Sequence, residues 1–224
     1  MARSANPQLK AALLEEARRV VLEEGYAALS TRKIAKAVGC TATSIYLYFR
    51  NKDELVHALI DEGIERLHGE LTGAAEPLES PRDQVEAVCR AYLRFAIENP
   101  AYYEIMFTLH PQHMERYPQD KYRRVRRNLE LMGALLGRAA GERPTKADPK
   151  HLVPATVLWS SLHGLAALIL AERVDRGIDR TALVENGVAQ ALQLIDLLAS
   201  NPTASEEDAV ATDASTPTAI TKAP

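Results

Sequence analysis

The chain has 224 residues, of which 46% are hydrophobic and 25% are charged, ordinary proportions for a globular protein of one or two domains. Its two cysteines, Cys40 and Cys89, exclude a disulfide scaffold and a four-cysteine zinc site. The formal net charge of −3 conceals an asymmetry, because residues 1–52 carry nine Lys and Arg side chains against four Glu. A basic end on an acidic body points to a polyanionic partner, although a merely solvated basic surface would give the same count.

Hydrophobic periodicity predicts four helices in the first third of the chain. The predicted spans are 8–24, 30–38, 41–48 and 52–71, with Ser30, Thr41 and Asn51 as N-caps of the last three. Gly25 and Gly39 are placed to end the first two helices. In the third helix, Ile45 and Phe49 fall on one face, so we expect both side chains in the core.

After a break at 72–80 that contains Gly and Pro, the periodic segments lengthen. Further helices are predicted at 82–98, 101–109, 120–140, 149–173 and 179–199, with a loop at 111–118. No segment alternates with a period of two, so the predicted fold class is all-α, with about nine helices. Residues 201–224 are rich in Ala, Thr, Ser and Pro and carry acidic side chains, which predicts a disordered acidic tail. A partner-binding use of that tail stays open.

The segment 152–171 is long and apolar enough to raise the question of a membrane span. It contains Pro154, Thr156, Ser160, Ser161 and His163, which favour a buried helix in a bundle or a dimer interface. No membrane partner is therefore expected. The chain opens without a charged-then-apolar leader, so we expect a cytoplasmic location.

Helices 30–38 and 41–48, joined by a Gly-containing turn beside basic residues, match the helix-turn-helix pattern. The outer face of the second helix carries small or hydroxyl-bearing side chains. Small side chains let a helix enter the major groove, and hydroxyls can bond phosphates or base edges. The spacing alone also fits a three-helix cap with incidental surface polarity.

Two runs in this region carry a resemblance to a known family. The runs are EGYAALSTRKIA at 24–35 and VGCTATSIYLYFRNK at 38–52. They resemble the DNA-binding domain of TetR/AcrR-type regulators. The resemblance implies a homodimeric transcriptional regulator, by expectation a repressor, that binds a palindromic double-stranded DNA operator. It also implies a helix-turn-helix domain at 8–68 and an effector-binding and dimerisation domain at 80–200, ahead of the tail 201–224.

Carried over by position, the resemblance assigns DNA contacts. It implies phosphate or base contacts for Thr31 and Arg32, groove-facing positions for Thr41, Ala42 and Thr43, and phosphate contacts for Tyr46, Tyr48 and Lys52. The chain departs from the family at two positions. Thr43 stands where Gly or Ala is frequent, and Leu47 stands where a bulky aromatic residue or His is frequent. Thr43 should project further into the groove, and Leu47 is a candidate for contact with a thymine methyl group.

The run NPAYYEIMF at 99–107, with Trp159 and His163-Gly164, resembles the subgroup whose C-terminal domain is named for a Trp-His-Gly signature. Trp159 and His163 are four residues apart on one predicted helix, so they share a face. We interpret a set of aromatic and neighbouring side chains as the pocket of a mostly apolar small-molecule effector. The set is Tyr92, Phe95, Tyr103, Met106, Phe107, Trp159 and His163.

Two alternatives stay open for the C-terminal half. Each of the seven side chains could be ordinary core, and the protein could be a DNA-binding regulator without an effector, acting through protein partners. A cavity of ~300–1,000 Å³ would favour sensing, whereas a solid core would favour the effector-free alternative. The last two helices have long apolar stripes, so we predict that they form the dimer seam, with Ile195 in it.

The chain gives little reason to expect catalysis. His110 and His113 could suggest a metal site, but Pro111 and Pro118 make that stretch a loop and no Cys, Asp or Glu companion is close. There is no Gly-rich phosphate loop, nucleophile elbow or Cys-x-x-Cys motif in the sequence. We therefore predict no enzyme activity, no metal and no cofactor.

Overall fold

The computed structural model describes residues 6–108, 122–142 and 149–200. Its α-helices are α1 (Pro7–Glu24), α2 (Thr31–Val38), α3 (Ala42–Ile45), α4 (Lys52–Ala75), α5 (Pro81–Glu98), α6 (Pro100–Tyr103), α7 (Tyr122–Ala139), α8 (Pro149–Leu170) and α9 (Arg180–Ser200). A 3₁₀ turn covers Tyr26–Ala28, and a π-helical turn covers Glu104–Thr108. The described ranges hold no β-strand, and the predicted all-α class is confirmed.

Local capping explains where the N-terminal helices begin and end. The Thr41 hydroxyl accepts a hydrogen bond from the Ser44 amide at 3.2 Å, and the Asn51 side chain accepts one from the Glu54 amide at 2.8 Å. Both predicted caps are confirmed, whereas Ser30 precedes α2 without a side-chain cap bond. Gly39 ends α2 with φ of 74°, a left-handed conformation that glycine adopts without strain, and this residue turns the chain into α3.

Several predicted helix limits are wrong. The helix predicted over 41–48 is α-helical only to Ile45, because the next amides bond three residues back, with Leu47 N 3.3 Å from Ser44 O and Tyr48 N 2.9 Å from Ile45 O. The short helix that Pro100 begins was predicted to run to 109, but it is α-helical only to Tyr103 and then changes to a π-helical turn, and α8 ends at Leu170 instead of about 173.

Helix α4 and helix α5 build the core that positions both candidate sites. The inner face of α4 is buried along its length through Leu55, Leu59, Ile64, Leu67 and Leu71. Helix α5 contacts α4, α7, α8 and α9. The predicted domain limit at residue 68 lies inside α4, which continues to Ala75. The predicted helix-turn-helix domain and the predicted C-terminal domain therefore share one continuous helix.

Helix α8 has an apolar surface that the protomer does not cover. The span Lys150–Leu170 is long and apolar enough to cross a membrane by length and composition alone, yet only 28% of its most apolar window is buried inside the protomer. Val153, Val157 and Leu168 are 68%, 54% and 49% exposed. Ile195 on α9, predicted in the dimer seam, is instead buried inside the protomer at 2% exposure.

Some predictions fall outside the described residues. These are the loop at 111–118, the histidines His110 and His113, and the tail 201–224.

Candidate functional sites: a DNA-binding surface and an aromatic cluster

The segment from Thr41 to Leu47, which we call the recognition segment, has a buried side and an exposed side. Ile45 is 0% exposed and Phe49 just beyond it is 2% exposed, so both predicted core positions are confirmed. Tyr46 and Leu47 are 53% and 66% exposed, unusually high for large apolar side chains. Such side chains, directly after a short capped helix, are available to an external surface.

The hydroxyl-bearing residues around the recognition segment are not equally available. Thr43 is exposed, and no described residue bonds its hydroxyl. The Thr41 hydroxyl lies 2.9 Å from the Ser44 hydroxyl and caps α3, and Ala42 is half-buried. At the start of α2, Arg32 is exposed and Thr31 is half-buried. Thr43 and Arg32 are thus better placed to reach a partner than Thr41 is.

Tyr48 and Lys52, two predicted phosphate contacts, already have partners in the protein. The Tyr48 hydroxyl accepts a hydrogen bond from the Asn6 amide at 2.9 Å, which ties the recognition segment to the start of α1. The Lys52 ammonium lies 4.0 Å from the centroid of the Tyr26 ring and donates to the Tyr26 carbonyl at 3.4 Å. Partial burial lowers the pKa of Lys52. Each group can still meet a phosphate with its remaining hydrogen-bonding capacity.

The second site brings together five of the seven predicted effector-pocket residues. We call it the aromatic cluster: Tyr92 on α5, Tyr103 on α6, Phe107 in the π-helical turn, and Trp159 and His163 on α8. The His163 ring lies at centroid distances of 5.1 Å from Tyr103, 5.1 Å from Phe107 and 5.0 Å from Trp159. These are contact distances, so the rings pack directly against one another.

Hydrogen bonds join the polar atoms of the aromatic cluster. The indole N–H of Trp159 donates to the Tyr92 hydroxyl at 3.1 Å. The hydroxyls of Tyr92 and Tyr103 lie 3.0 and 2.9 Å from Nδ1 of His163, and the Tyr103 hydroxyl also lies 3.0 Å from the His163 carbonyl oxygen. Burial lowers the pKa of His163 and raises the pKa of Tyr103 to about 12. The cluster is therefore uncharged near neutral pH.

Phe95 and Met106, the other two predicted pocket residues, make no hydrogen bond or ring contact with the aromatic cluster among the described residues. Phe95 is 1% exposed and belongs to the hydrophobic core. Met106 packs over Gly63 of α4, where a Cβ atom would stand 2.6 Å from its sulfur. Gly63 thus permits the close approach of α4 to the π-helical turn.

One network between the domains was missed by sequence reasoning. The Tyr102 hydroxyl donates to Glu62 of α4 at 2.8 Å, and Glu62 pairs with Arg18 of α1 at 2.7 Å. A shallow surface depression too small for a ligand adjoins it, lined by Arg18, Val21, Leu22, Leu59, Ala101, Tyr102 and Ile105. Arginine and glutamate on exposed helical faces are common, so no sequence pattern marks this three-residue contact.

Comparison with known proteins identifies both halves of the chain. Residues 13–59 match the family model described as bacterial regulatory proteins of the tetR family, and residues 85–191 match the model of a tetracyclin repressor-like C-terminal domain. Together the two matches span roughly two thirds of the chain. The first contains α2, the recognition segment and the start of α4, and the second contains the aromatic cluster.

Relatives of known sequence are transcriptional regulators and a nucleoid factor. The chain is 32% identical over 107 residues to the HTH-type transcriptional regulator Mb1846 of Mycobacterium bovis, covering 47% of this chain and 46% of that protein. It is 33% identical over 84 residues to the nucleoid occlusion factor SlmA of Glaesserella parasuis, covering 38% and 41%. The matched part spans about half the length of these relatives or less.

Solved structures share the fold over nearly their whole length. A protein of unknown function from Rhodococcus sp. RHA1 superposes with a TM-score of 0.70 at 23% identity, covering 86% of this chain and 98% of that one. The fatty acid degradation regulator FadR of Bacillus halodurans superposes with a TM-score of 0.64 at 18% identity, covering 85% and 97%. Likeness at this identity concerns the fold alone.

Proposed function

The chain belongs to the TetR family of DNA-binding transcriptional regulators, which are not enzymes, and we propose that it is a homodimeric repressor. The proposed repressor is cytoplasmic and binds a palindromic operator. A mostly apolar small molecule releases it from that operator. The observation that carries the DNA-binding part is the recognition segment, with Tyr46 and Leu47 exposed above a buried Ile45. A helix of this kind reads the major groove with its outer side chains.

Within that proposal, the DNA contacts divide into two kinds. Thr43 and Leu47 are exposed and small enough to approach base edges, so they contribute to sequence preference. Arg32, Tyr46 and Lys52 contribute mainly phosphate contacts, which position the head without reading the sequence. The ring of Tyr26 holds the Lys52 ammonium at the start of α4, where free helix amides also favour a phosphate.

The uncovered side of α8 supports a dimer through α8 and α9. No Asp, Glu, Lys or Arg occurs between Val153 and Leu170, and the exposed positions Val153, Val157, Ser160, Gly164 and Leu168 recur at helical spacing. Leu197 of α9 is 66% exposed. Two α8–α9 pairs would make a four-helix bundle that buries these side chains and holds two heads for successive major grooves, ~34–36 Å apart.

The effector part of the proposal is supported by the connection between the aromatic cluster and the N-terminal helices, not by an open cavity, because the rings of the cluster are in contact. Tyr103 contacts His163 within the cluster, and the preceding residue, Tyr102, bonds Glu62, which in turn pairs with Arg18 of α1. Adjacent residues of α6 therefore face the two sites. The π-helical turn that follows is a rare element often found at functional sites. A ligand that displaces Tyr103 would shift Tyr102 as well and change the spacing of the heads.

The experiment that tests DNA binding is selection of bound sequences from a random pool of duplex DNA with the full-length protein. We expect two inverted half-sites with centres about one helical turn, or a multiple of it, apart. A thermal-shift screen of lipophilic compounds then supplies hits for operator titration. A coupling of about 1–3 kcal/mol would weaken operator binding about 5–150-fold. Recovery of no enriched sequence would contradict the proposed operator binding.

The packed rings of the aromatic cluster favour a second candidate function. Because the centroids stand only 5.0–6.0 Å apart, the cluster could be a rigid core element in a regulator that acts through protein partners. In that case no compound would raise the melting temperature, and operator affinity would change only with added protein. The thermal-shift screen separates the two candidates.

A further inference from the structure

The aromatic cluster has few polar hydrogens, and each can be assigned. They are the indole N–H of Trp159, the hydroxyl hydrogens of Tyr92 and Tyr103, and one imidazole N–H of His163. The cluster contains no charged side chain, and burial keeps both tyrosines protonated and disfavours the imidazolium form of His163. Its recognition chemistry therefore depends on where these four hydrogens point.

The hydrogen bonds fix the imidazole tautomer. Trp159 donates to the Tyr92 oxygen, so the hydroxyl hydrogen of Tyr92 needs another acceptor, and Nδ1 of His163 stands 3.0 Å away. Tyr103 directs its hydrogen between Nδ1 and the carbonyl oxygen of the same residue. Nδ1 must accept, and the imidazole hydrogen is on Nε2.

The opposite tautomer leaves a buried donor unsatisfied. A hydrogen on Nδ1 would face the Tyr92 hydroxyl hydrogen, for which the described part of the chain offers no other acceptor, and Tyr92 is 2% exposed. A buried hydroxyl without an acceptor is destabilising, because its desolvation is not compensated. With the hydrogen on Nε2, three of the four donors are used within the cluster. The remaining donor, Nε2–H, has no acceptor among the described residues.

From this donor inventory we infer that the aromatic cluster binds a neutral, flat, apolar molecule with one acceptor oxygen, such as an aromatic ester or ketone. The inference rests on the proposed effector role of the cluster. The ligand oxygen accepts from Nε2–H of His163, and its ring lies against Phe107 and Trp159, which are both half-buried. The ligand has to part rings that now touch, so it enters by displacing one of them.

The same inventory disfavours other ligand classes. A carboxylate would lose hydration without meeting a cation in the cluster. A quaternary ammonium would gain from the aromatic faces, but the one free polar group is a donor, which repels a cation. A polyol or nucleoside carries several donors, and the acceptors of the cluster are already used by its own hydrogens.

The test uses full-length protein and probes that share a benzyl group. Trp159 is the only tryptophan of the chain, so its fluorescence reports on the aromatic cluster alone. The probes are methyl phenylacetate, butylbenzene, phenylacetate and benzyltrimethylammonium. We expect methyl phenylacetate to change Trp159 fluorescence saturably. The ratio of its Kd to that of the more hydrophobic butylbenzene should rise about tenfold when the Nε2–H donor is removed, which corresponds to one net hydrogen bond. The two charged probes should bind more weakly than the ester.

Two variants of His163 form a matched pair. His163→Asn keeps a carbonyl oxygen near the Nδ1 position but has no donor near Nε2, whereas His163→Gln carries an amide N–H further out. The ratio of the ester Kd to the butylbenzene Kd should rise in His163→Asn and keep its wild-type value in His163→Gln, with melting temperatures confirming that both variants fold.

The possible failures are distinguishable. Tightest binding of phenylacetate or of the ammonium probe overturns the ligand class and leaves an effector site in place. An unchanged ratio of the ester Kd to the butylbenzene Kd in His163→Asn overturns the role of Nε2–H. If none of the probes changes Trp159 fluorescence while the protein still binds its selected operator, the cluster is not a ligand site, and the DNA-binding regulator stands without it.

Discussion

The recognition segment and the aromatic cluster use their polar groups in opposite ways. Thr43 and Arg32 at the head are exposed, and no described residue bonds the Thr43 hydroxyl. In the cluster, Tyr92 and Tyr103 are 2% and 3% exposed and bond His163. A surface with available groups can meet DNA without rearrangement, whereas a cluster whose groups bond one another has to open before it meets a ligand.

The difference has an energetic consequence for regulation. DNA binding by the head gains from phosphate contacts at little conformational cost. The ligand binding proposed for the cluster would have to offset the loss of internal contacts, so its apparent affinity would equal the intrinsic affinity multiplied by the fraction of protein in the open form. The chain connects the two regions through α4 and through the pair Tyr102 and Tyr103.

The prediction with the largest expected effect concerns dimerisation, through which the C-terminal helices would join two DNA-binding domains. Val157→Arg places a charge on the exposed apolar side of α8, where the proposed bundle would bury it unpaired at a cost of several kcal/mol. Sedimentation should show monomer, and affinity for a full operator should fall to that for a half-site. Ile97→Arg, at a 41% exposed position of α5, is the matched control and should stay dimeric. A dimeric Val157→Arg variant would place the interface elsewhere.

The second prediction separates phosphate contact from base reading within the head. Lys52→Ala should weaken binding to all DNA sequences alike and reduce the slope of log K against log salt by about one. Leu47→Ala should leave the slope unchanged and relax the preference at one base pair, by about 1–3 kcal/mol for a well-packed contact. Fluorescence anisotropy over a salt series measures both. An altered sequence preference in Lys52→Ala, with an unchanged slope, would contradict the phosphate role.

The head was predictable from sequence because its determinants are local. Thr41 and Asn51 cap the helices that follow them, and hydrophobic periodicity alone predicts the burial of Ile45 and Phe49. The predicted end of α3 lies about three residues beyond the observed one. A turn whose amides bond three residues back has the same hydrophobic sequence pattern as an α-helix, so the sequence does not mark the change. The bond between Tyr48 and Asn6 spans 42 residues and has no local signal.

The sequence predicted most of the residues that form the aromatic cluster, but not how their side chains pack and bond. Trp159 and His163 share a helical face because of their spacing, and the scarcity of aromatic residues suggested that Tyr92 and Tyr103 would meet them. Met106 was assigned to the same set, but the π-helical turn directs it towards Gly63. An added residue per turn changes which side chains share a face, and sequence periodicity assumes a regular α-helix.

The third prediction weakens the connection between the two regions without altering either. Tyr102→Phe removes the hydroxyl that donates to Glu62 and keeps the ring. The coupling free energy, calculated from the ratio of operator Kd values with and without a bound effector, should fall by about 0.5–2 kcal/mol. Trp159 fluorescence should show that the effector is still bound. Tyr103→Phe is the comparison, because it should change effector affinity itself. An unchanged ratio in Tyr102→Phe would mean that coupling travels by another route.

The smallest expected effect concerns protonation of His163. Burial lowers its pKa below the unfolded value of 6.5, so the unfolded chain binds this proton more readily than the folded protein does. The contribution to stability is therefore fully present above pH 6.5 and is lost as the pH falls below it, when protonation would remove the acceptor that Tyr92 and Tyr103 share. Urea unfolding of the wild type and of His163→Asn across this range isolates the effect, because the other five histidines contribute to both curves. The difference in free energy of unfolding between the wild type and His163→Asn should become smaller as the pH falls. A difference independent of pH would mean that His163 titrates alike in the folded and unfolded chain, and that Nδ1 is not the buried acceptor that holds the two tyrosines.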